Sequence, residues 1–561
     1  MNPDNIVYNE ETDKVVFIDL DNIIVVDSTC KPKKSGTHRH EFIECNGCFA
    51  YVPEEICSYN ESDLNIFSIC QLLREDLYGD VTKGFLHPLP GDLNRVNSEK
   101  LRKLYVIAAD DIQPGELVLC ETPTAVLPRW ESFILCSNCF QESARACNQC
   151  KFFPLCISCK NHTYSDCAFF EKLNDVPKKF LLENFAAYGP LKCLLLMEHP
   201  NMKEAWNVFL RMESHQEERR NSEEWKELEK TVVRPLIDSG IVRHFKKYPV
   251  DTEFLQKICS ILDVNAFEVR GPSNYPLRAL YPTAALLAHD CVPNVMTTID
   301  GNFSLKMFAN VPIKKGEQVY TSYTNPLVGT VQRQLGLKMG KYFDCKCKRC
   351  QDPTELGSYM SALTCPQCKG FVTQNGSKWS CEKCSYFLET EKIDKILSVA
   401  NEEIFQAQED IAEMEMLIAK YTPILNPNHY MIIDLKQNVA AILRSICMNS
   451  IAKPGKKVFE RKLQLCKEII PVIRIVEPGI SRLKSIALYE YVIPFLELAR
   501  RNFEDSTITS KDYLVELLRE CLQMLLYEPG DTPEGMLTRR GFQKLKELQT
   551  SIIEIGANIT E

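Results

Sequence analysis

Cysteine is the residue with the most chemistry in this chain. There are 26, many in close pairs at 45/48, 136/139, 147/150, 156/159, 365/368 and 381/384, with a tight trio at 345/347/350. Two thiols two residues apart grip one tetrahedral metal, and such spacing favours structural zinc over disulfides. The stretch "CSNCFQESARACNQCKFFPLCISCKNHTYSDC" supplies Cys136, Cys139, Cys147, Cys150, Cys156, Cys159, His162 and Cys167, eight ligands and therefore two zinc ions. So short a piece has little apolar core, so metal must supply most of its folding energy, on the order of 10 kcal/mol per site. Cys365, Cys368, Cys381 and Cys384 flank a short hairpin and read as a closed zinc ribbon, with no position open to water. In "FDCKCKRC", Cys345, Cys347 and Cys350 are one ligand short, and Cys291 in "LLAHDCVPN" is the best candidate for the fourth. Cys30, His38, His40, Cys45 and Cys48 form another candidate set, but their spacing fits no common site, and free thiols with surface histidines are the simpler account.

The elements that must position these residues show in the patterning. With 561 residues, 45% hydrophobic and 25% charged, the composition predicts a soluble globular chain of three or four domains. No apolar run approaches the roughly 18 residues of a membrane span. The acidic start "MNPDNIVYNEE" reads against a secretory leader, and so for a reducing compartment. A net charge of -9 gives no general electrostatic reason to bind nucleic acid. "KVVFIDLDNIIVVD" predicts a β-rich start, and "LYVIAADDIQPGELVLCETPTAVLP" predicts two strands about a "QPGE" turn. Residues 168–264 are helical in pattern, 265–350 return to strands with turns at "DGN" and "KKGE", and the chain beyond Cys384 is helical. Pro427, Pro478 and Pro529 stand 51 residues apart, each between helical stretches, which suggests stacked helix pairs. An irregular bundle is the alternative.

Together "IQPGELVLCETP", the cysteine module, "VNAFEV", "LYPTAALLAHDCVPN", "KKGEQVYTSYT", "FDCKCKRCQDPTELG", "ALTCPQC", "LNPNHY" and "VEPGISRLK" resemble, in order over roughly residues 100–540, the SET and MYND family of protein lysine methyltransferases, most closely its arthropod-specific branch. The resemblance implies an α+β fold. After an N-terminal extension (1–95), a β-rich SET domain begins at 96–135 and is interrupted by a MYND zinc module (136–167) and a helical insertion (168–264). The SET core (265–344) carries a pseudoknot, followed by a post-SET segment with the zinc ribbon (345–389) and a helical domain resembling tetratricopeptide repeats (390–561).

The same resemblance puts Cys291 on one zinc with Cys345, Cys347 and Cys350, about four zinc ions in all. It makes Tyr323 the catalytic hydroxyl, and Asn265, Leu287, His289, Tyr323 and Phe343 the neighbours of S-adenosylmethionine. The chain departs from the family pattern at Lys103 and Leu104, where a Gly-Arg pair is usual, at Ala288, where asparagine is usual, and at Lys341, where tyrosine is usual and Tyr342 follows one step along. Two functions stay open. One is methyl transfer to lysines of histone or other proteins, with a role in transcription regulation. The other is an impaired adaptor or corepressor that recruits partners, proline-containing peptides among them, through its MYND and helical parts. A monomer found in nucleus and cytoplasm is expected, without direct nucleic-acid or membrane binding.

Overall fold

The computed structural model describes residues 106–546, apart from 144, 199–201, 377, 408–409, 450–453, 502–507 and 544, together with an antiparallel hairpin of Ile6–Asn9 on Lys14–Phe17. The second hairpin strand falls on the expected "KVVF". The histidines and cysteines at 30–48, and Lys103 and Leu104, lie outside the described residues.

Two small antiparallel sheets frame the SET region. In the first, β1 (Leu117–Glu121), β6 (Val295–Ile299) and β7 (Leu305–Ala309) run in the order β6-β7-β1, with Leu305, Met307 and Ala309 alternating into the core. In the second, β2 (Ala125–Pro128), β4 (Pro276–Leu280) and β3 (Phe267–Arg270) run in the order β2-β4-β3. The expected strand before "QPGE" is reduced to isolated bridges, Ile107 with Gln318 and Ile112 with Ile313. Two acidic residues, Asp110 and Asp111, interrupt its apolar alternation and pair instead with Lys315 and Lys314. The turn itself forms with Gly115 at φ +90°, a conformation that favours glycine. A third pairing, parallel and short, joins β5 (Ala288–His289) to β8 (Tyr320–Thr321).

Helix α1 (Tyr188–Glu198) is buried along nearly its whole length. Helix α2 (Thr252–Asn265) starts at Asp251, whose carboxylate accepts from the Phe254 amide at 2.9 Å. Phe152 and Phe153 of the cysteine module and Leu191, Leu194 and Leu195 of α1 belong to one continuous core that also takes in β4 and β7. Helix α3 (Thr330–Lys341) leads to the cysteine trio. The ribbon follows as a four-stranded antiparallel sheet, turning at Gly376 with φ +64°.

Beyond it α4 (Thr390–Gln406), α5 (Ile411–Leu425), α6 (Tyr430–Asn449), α7 (Lys456–Val476), α8 (Arg482–Arg501) and α9 (Ile508–Leu525) pack each against the next. Pro427, Pro478 and Pro529 each fall between helical stretches, the last followed by helix from residue 533, as expected of stacked pairs. Four ion pairs join residues 46 apart: Arg461 to Glu415, Arg444 to Glu490, Arg474 to Glu520 and Arg482 to Glu528. The helical stack is fixed to the SET sheets by backbone and charge contacts. The Ile480 amide donates to Asn310 O at 2.8 Å, Arg482 to Thr297 O at 2.9 Å, and Arg270 pairs with Glu534 at 2.8 Å. Among the described residues no helix is long and apolar enough to cross a membrane.

Candidate active site and metal centres

All sixteen sequence-predicted metal ligands gather into four groups of four. In the MYND module the groups interleave: Cys136, Cys139, Cys156 and Cys159 form one, and Cys147, Cys150, His162 and Cys167 the other. The crossing is imposed by a small hairpin, Arg145–Ala146 on Pro154–Leu155, which folds the third pair back onto the first. Arg145 fastens the fold by donating to the carbonyls of Cys156 and Cys159, both at 2.8 Å. His162 is buried, and its pKa falls to about 4, so the imidazole is neutral as a metal ligand must be. Neighbouring sulfurs stand 3.6 Å apart for Cys139 and Cys156, 3.8 Å for Cys147 and Cys167, and 3.6 Å for Cys365 and Cys384. A zinc ion about 2.3 Å from each of four sulfurs requires edges of this length, whereas a disulfide would need about 2 Å. The donor sets therefore fit zinc.

The fourth group joins distant segments. Cys291 lies 4.0 Å from Cys345 and 3.5 Å from Cys350, with Cys347 completing the set. Behind it sits a fully buried charge cluster: Arg333 reaches Cys291 through Nε at 3.3 Å and Glu355 through Nη1 at 2.8 Å, and Arg349 shares the same Glu355. Two guanidiniums on one carboxylate leave a surplus positive charge. Four thiolates on a divalent ion carry a double negative charge, which more than offsets it. Burial alone would raise the Glu355 pKa, but Arg349 and Arg333 outweigh it and hold the carboxyl ionised.

The zinc group is coupled to the candidate catalytic tyrosine through His289. The Tyr323 amide donates to Nδ1 of His289 at 3.0 Å, so the ring proton belongs on Nε2, which faces Cys291 Sγ at 3.3 Å. Burial, aided by Arg333, lowers the His289 pKa to about 4 and keeps the ring neutral. Tyr323 follows two residues after β8, and its hydroxyl donates to the carbonyl of Leu287. Burial pushes its pKa up to about 12. Leu287, Ala288, His289 and Tyr323 thus meet where β5 and β8 run side by side. Phe343 lies beside them, its ring 6.0 Å from that of His289.

Asn265 stands at the end of α2, where its Nδ2 donates to the carbonyls of Glu213 and Ile261, leaving Oδ1 as the amide's accepting face. Tyr342 does not take the place of the missing family tyrosine. It caps α3 at φ +59°, which turns its ring onto His215 at 4.9 Å and its hydroxyl toward Arg219 at 3.3 Å. Lys341 points inward instead. Its ammonium donates to Val264 O and lies 5.4 Å from the centre of the Tyr323 ring.

Two site-building residues had gone without a role. Glu121 accepts from the amides of Thr283 and Ala284, both at 2.9 Å, and anchors the turn that delivers Leu287. Asn294 uses both ends of its amide on the crossing strand, accepting from Tyr320 N at 2.7 Å and donating to Gln318 O at 2.8 Å. The quoted motifs "CETP" and "HDCVPN" contain both residues, but only the crossing of chain segments gives their side chains partners.

Two strands crossing beneath a tyrosine, with a zinc group locking the next segment against them, define a SET-type site. The SET domain family model matches residues 103–324. SET domain-containing protein SmydA-8, isoform A, of Drosophila melanogaster is 28% identical over 365 residues, 60% of this chain and 74% of the relative. N-lysine methyltransferase SMYD2 of Gallus gallus is 28% identical over 285 residues, 47% of this chain and 61% of the relative. Histone-lysine N-methyltransferase ASHR1 of Arabidopsis thaliana is 21% identical over 420 residues, 70% of this chain and 84% of the relative. The chain thus carries a SET domain, and its similarity is to SET and MYND domain proteins, the SmydA-like branch among them.

Proposed function

We propose that this chain is an S-adenosylmethionine-dependent protein-lysine N-methyltransferase. The observation that carries the reading is the setting of Tyr323, held by its amide on His289 and by its hydroxyl on Leu287 O. Because the phenol spends its proton on that carbonyl, its oxygen lone pairs are left as acceptors. It can orient an acceptor amine and polarise a methyl group. With its pKa near 12 the phenol stays neutral at physiological pH, so it aligns the reactants and does not serve as the base. The acceptor amine, with an ordinary pKa of about 10.4, must lose its proton first, and a partly desolvated aromatic setting disfavours its charged form.

The residues fit S-adenosylmethionine, which when bound supplies an activated methyl group on a sulfonium. Asn265 Oδ1 would accept from its amino end, and His289 and Phe343 offer ring surface beside the backbone of Leu287–His289. Alignment can account for several kcal/mol of such a displacement. Ala288 supplies no polar atom, which costs about 1 to 3 kcal/mol relative to a hydrogen-bonding side chain there. The relatives named for histone-lysine and for N-lysine transfer support histone and other protein lysines as acceptors, and the proposal extends to a role in transcription regulation, in nucleus and cytoplasm.

Ala288 and the half-buried, inward-directed Lys341 favour a second reading, an adaptor that recruits partners without transferring methyl groups. Calorimetry of the zinc-loaded chain with S-adenosylmethionine separates the two, since absence of binding at about millimolar donor removes the enzyme reading. Where binding is seen, Tyr323→Phe is expected to abolish transfer while all four metals stay in place. Unchanged transfer would show that another group aligns the reactants.

A further inference from the structure

Along α3, Arg333, Leu337 and Lys341 are spaced four residues apart and share one face. Arg333 and Leu337 are each 1% exposed, and the half-buried Lys341 continues that face to the end of the helix. Val331, Leu335 and Met339 lie on the solvent side, 49%, 54% and 61% exposed. The Lys341 side chain is therefore directed inward by the helix that also anchors the zinc group. Its amine stops between Val264 O, one residue before Asn265, and the face of Tyr323. It is a lysine amine at the tyrosine proposed to align lysine amines.

We infer that Lys341 is an internal methyl acceptor, modified by its own active site. This rests on the methyl-transfer reading above. Val264 O holds one N–H and leaves the amine's other directions free. Burial lowers the Lys341 pKa against the opposing pull of Asp263, which favours the neutral, nucleophilic form. In the step, the nitrogen lone pair forms the N–CH3 bond as the sulfonium S–CH3 bond breaks. The leaving group is the neutral thioether S-adenosylhomocysteine, and the ammonium proton passes to water. Each methyl group replaces one N–H and adds bulk to an amine lying over the Tyr323 ring, so the mark would set access to the site.

The test uses the full zinc-loaded chain, S-adenosylmethionine with a deuterated methyl group, and peptide mapping by mass spectrometry, on the protein as purified and after incubation. Core histones are added in a parallel arm, and donor binding is followed by calorimetry. Label is expected on Lys341, absent from the exposed Lys338 of the same helix, and lost in Tyr323→Phe with its zinc count intact. The rate per molecule should not change on tenfold dilution of the protein, because the acceptor is in the same chain. Histones labelled while Lys341 stays bare would overturn the inference and leave the enzyme reading standing. Labelling of Lys341 that slows with dilution would overturn it as well, showing transfer between molecules. No donor binding and no label anywhere would remove both.

Discussion

Glu355 shows how much one residue carries. Its carboxylate holds Arg333 and Arg349 in a dry cluster, accepts from the Ser361 hydroxyl, and keeps both cations directed at the zinc group and the chain around Pro326–Val328. Replacing Glu355 with glutamine removes the charge and leaves two buried guanidiniums with only the thiolates to balance them. Breaking a buried pair in this way costs about 3 to 5 kcal/mol, and the urea midpoint of Glu355→Gln should fall accordingly. Cys291→Ala acts on the same cluster from the other side. It should release one of the four zinc ions and free His289 Nε2 from its partner, so that metal analysis reads three ions per chain and proteases cut more readily between residues 343 and 360. Retention of all four ions would show that Cys345, Cys347 and Cys350 find another ligand.

At the level of elements, the turn "VEPG" between α7 and α8 decides where the helical stack meets the SET sheets. Gly479 sits at φ +69°, and a side-chain carbon there would lie 1.8 Å from Asn310 O. The neighbouring Ile480 amide donates to that same carbonyl, so the close approach is part of the joint. Gly479→Ala is expected to destabilise by more than the ordinary cost of about 1 kcal/mol for a left-handed alanine, because backbone must also shift. Unfolding of the helical stack should then separate from that of the SET region in a thermal scan, and a single unchanged transition would show that the joint has other means of support. Sequence patterning located the helices and their proline-marked boundaries here. It could not show that Arg461, Arg444, Arg474 and Arg482 each pair with a glutamate 46 residues away, because that offset depends on how successive helices stack.

The whole molecule also carries a pH dependence through His429, in the motif "LNPNHY" at the start of α6. The ring is fully buried, and burial lowers its pKa to about 3 despite the opposing charge of Glu355. In the unfolded chain it would titrate near 6.5. The unfolded state therefore binds the extra proton first as pH falls. The stability from a neutral His429 is complete above about 6.5 and declines below it by about 1.4 kcal/mol per pH unit until the buried ring itself protonates near 3. Chemical denaturation at pH about 7 and about 5 should show a larger loss for the native chain than for His429→Leu. Equal losses would mean that His429 is solvated in the folded state.

What the sequence determined by itself was the set of chemical groups: sixteen metal ligands, the candidate tyrosine of "YTSYT", the helical and strand-rich stretches, and a family pattern with its departures. Ligand identity is a matter of residue type and short spacing, and both are written in the chain. The tertiary structure decided which ligands share an ion, because the crossing of pairs in the MYND module depends on a hairpin closing between them. It also decided that Lys341 and not Tyr342 faces the tyrosine. The inward face of α3 ends at 341, and the left-handed cap that follows turns the next side chain away. Neighbours in sequence part at a helix end, and residues as distant as Cys291 and Cys350 meet, because side-chain direction and long-range contact are properties of the packed chain.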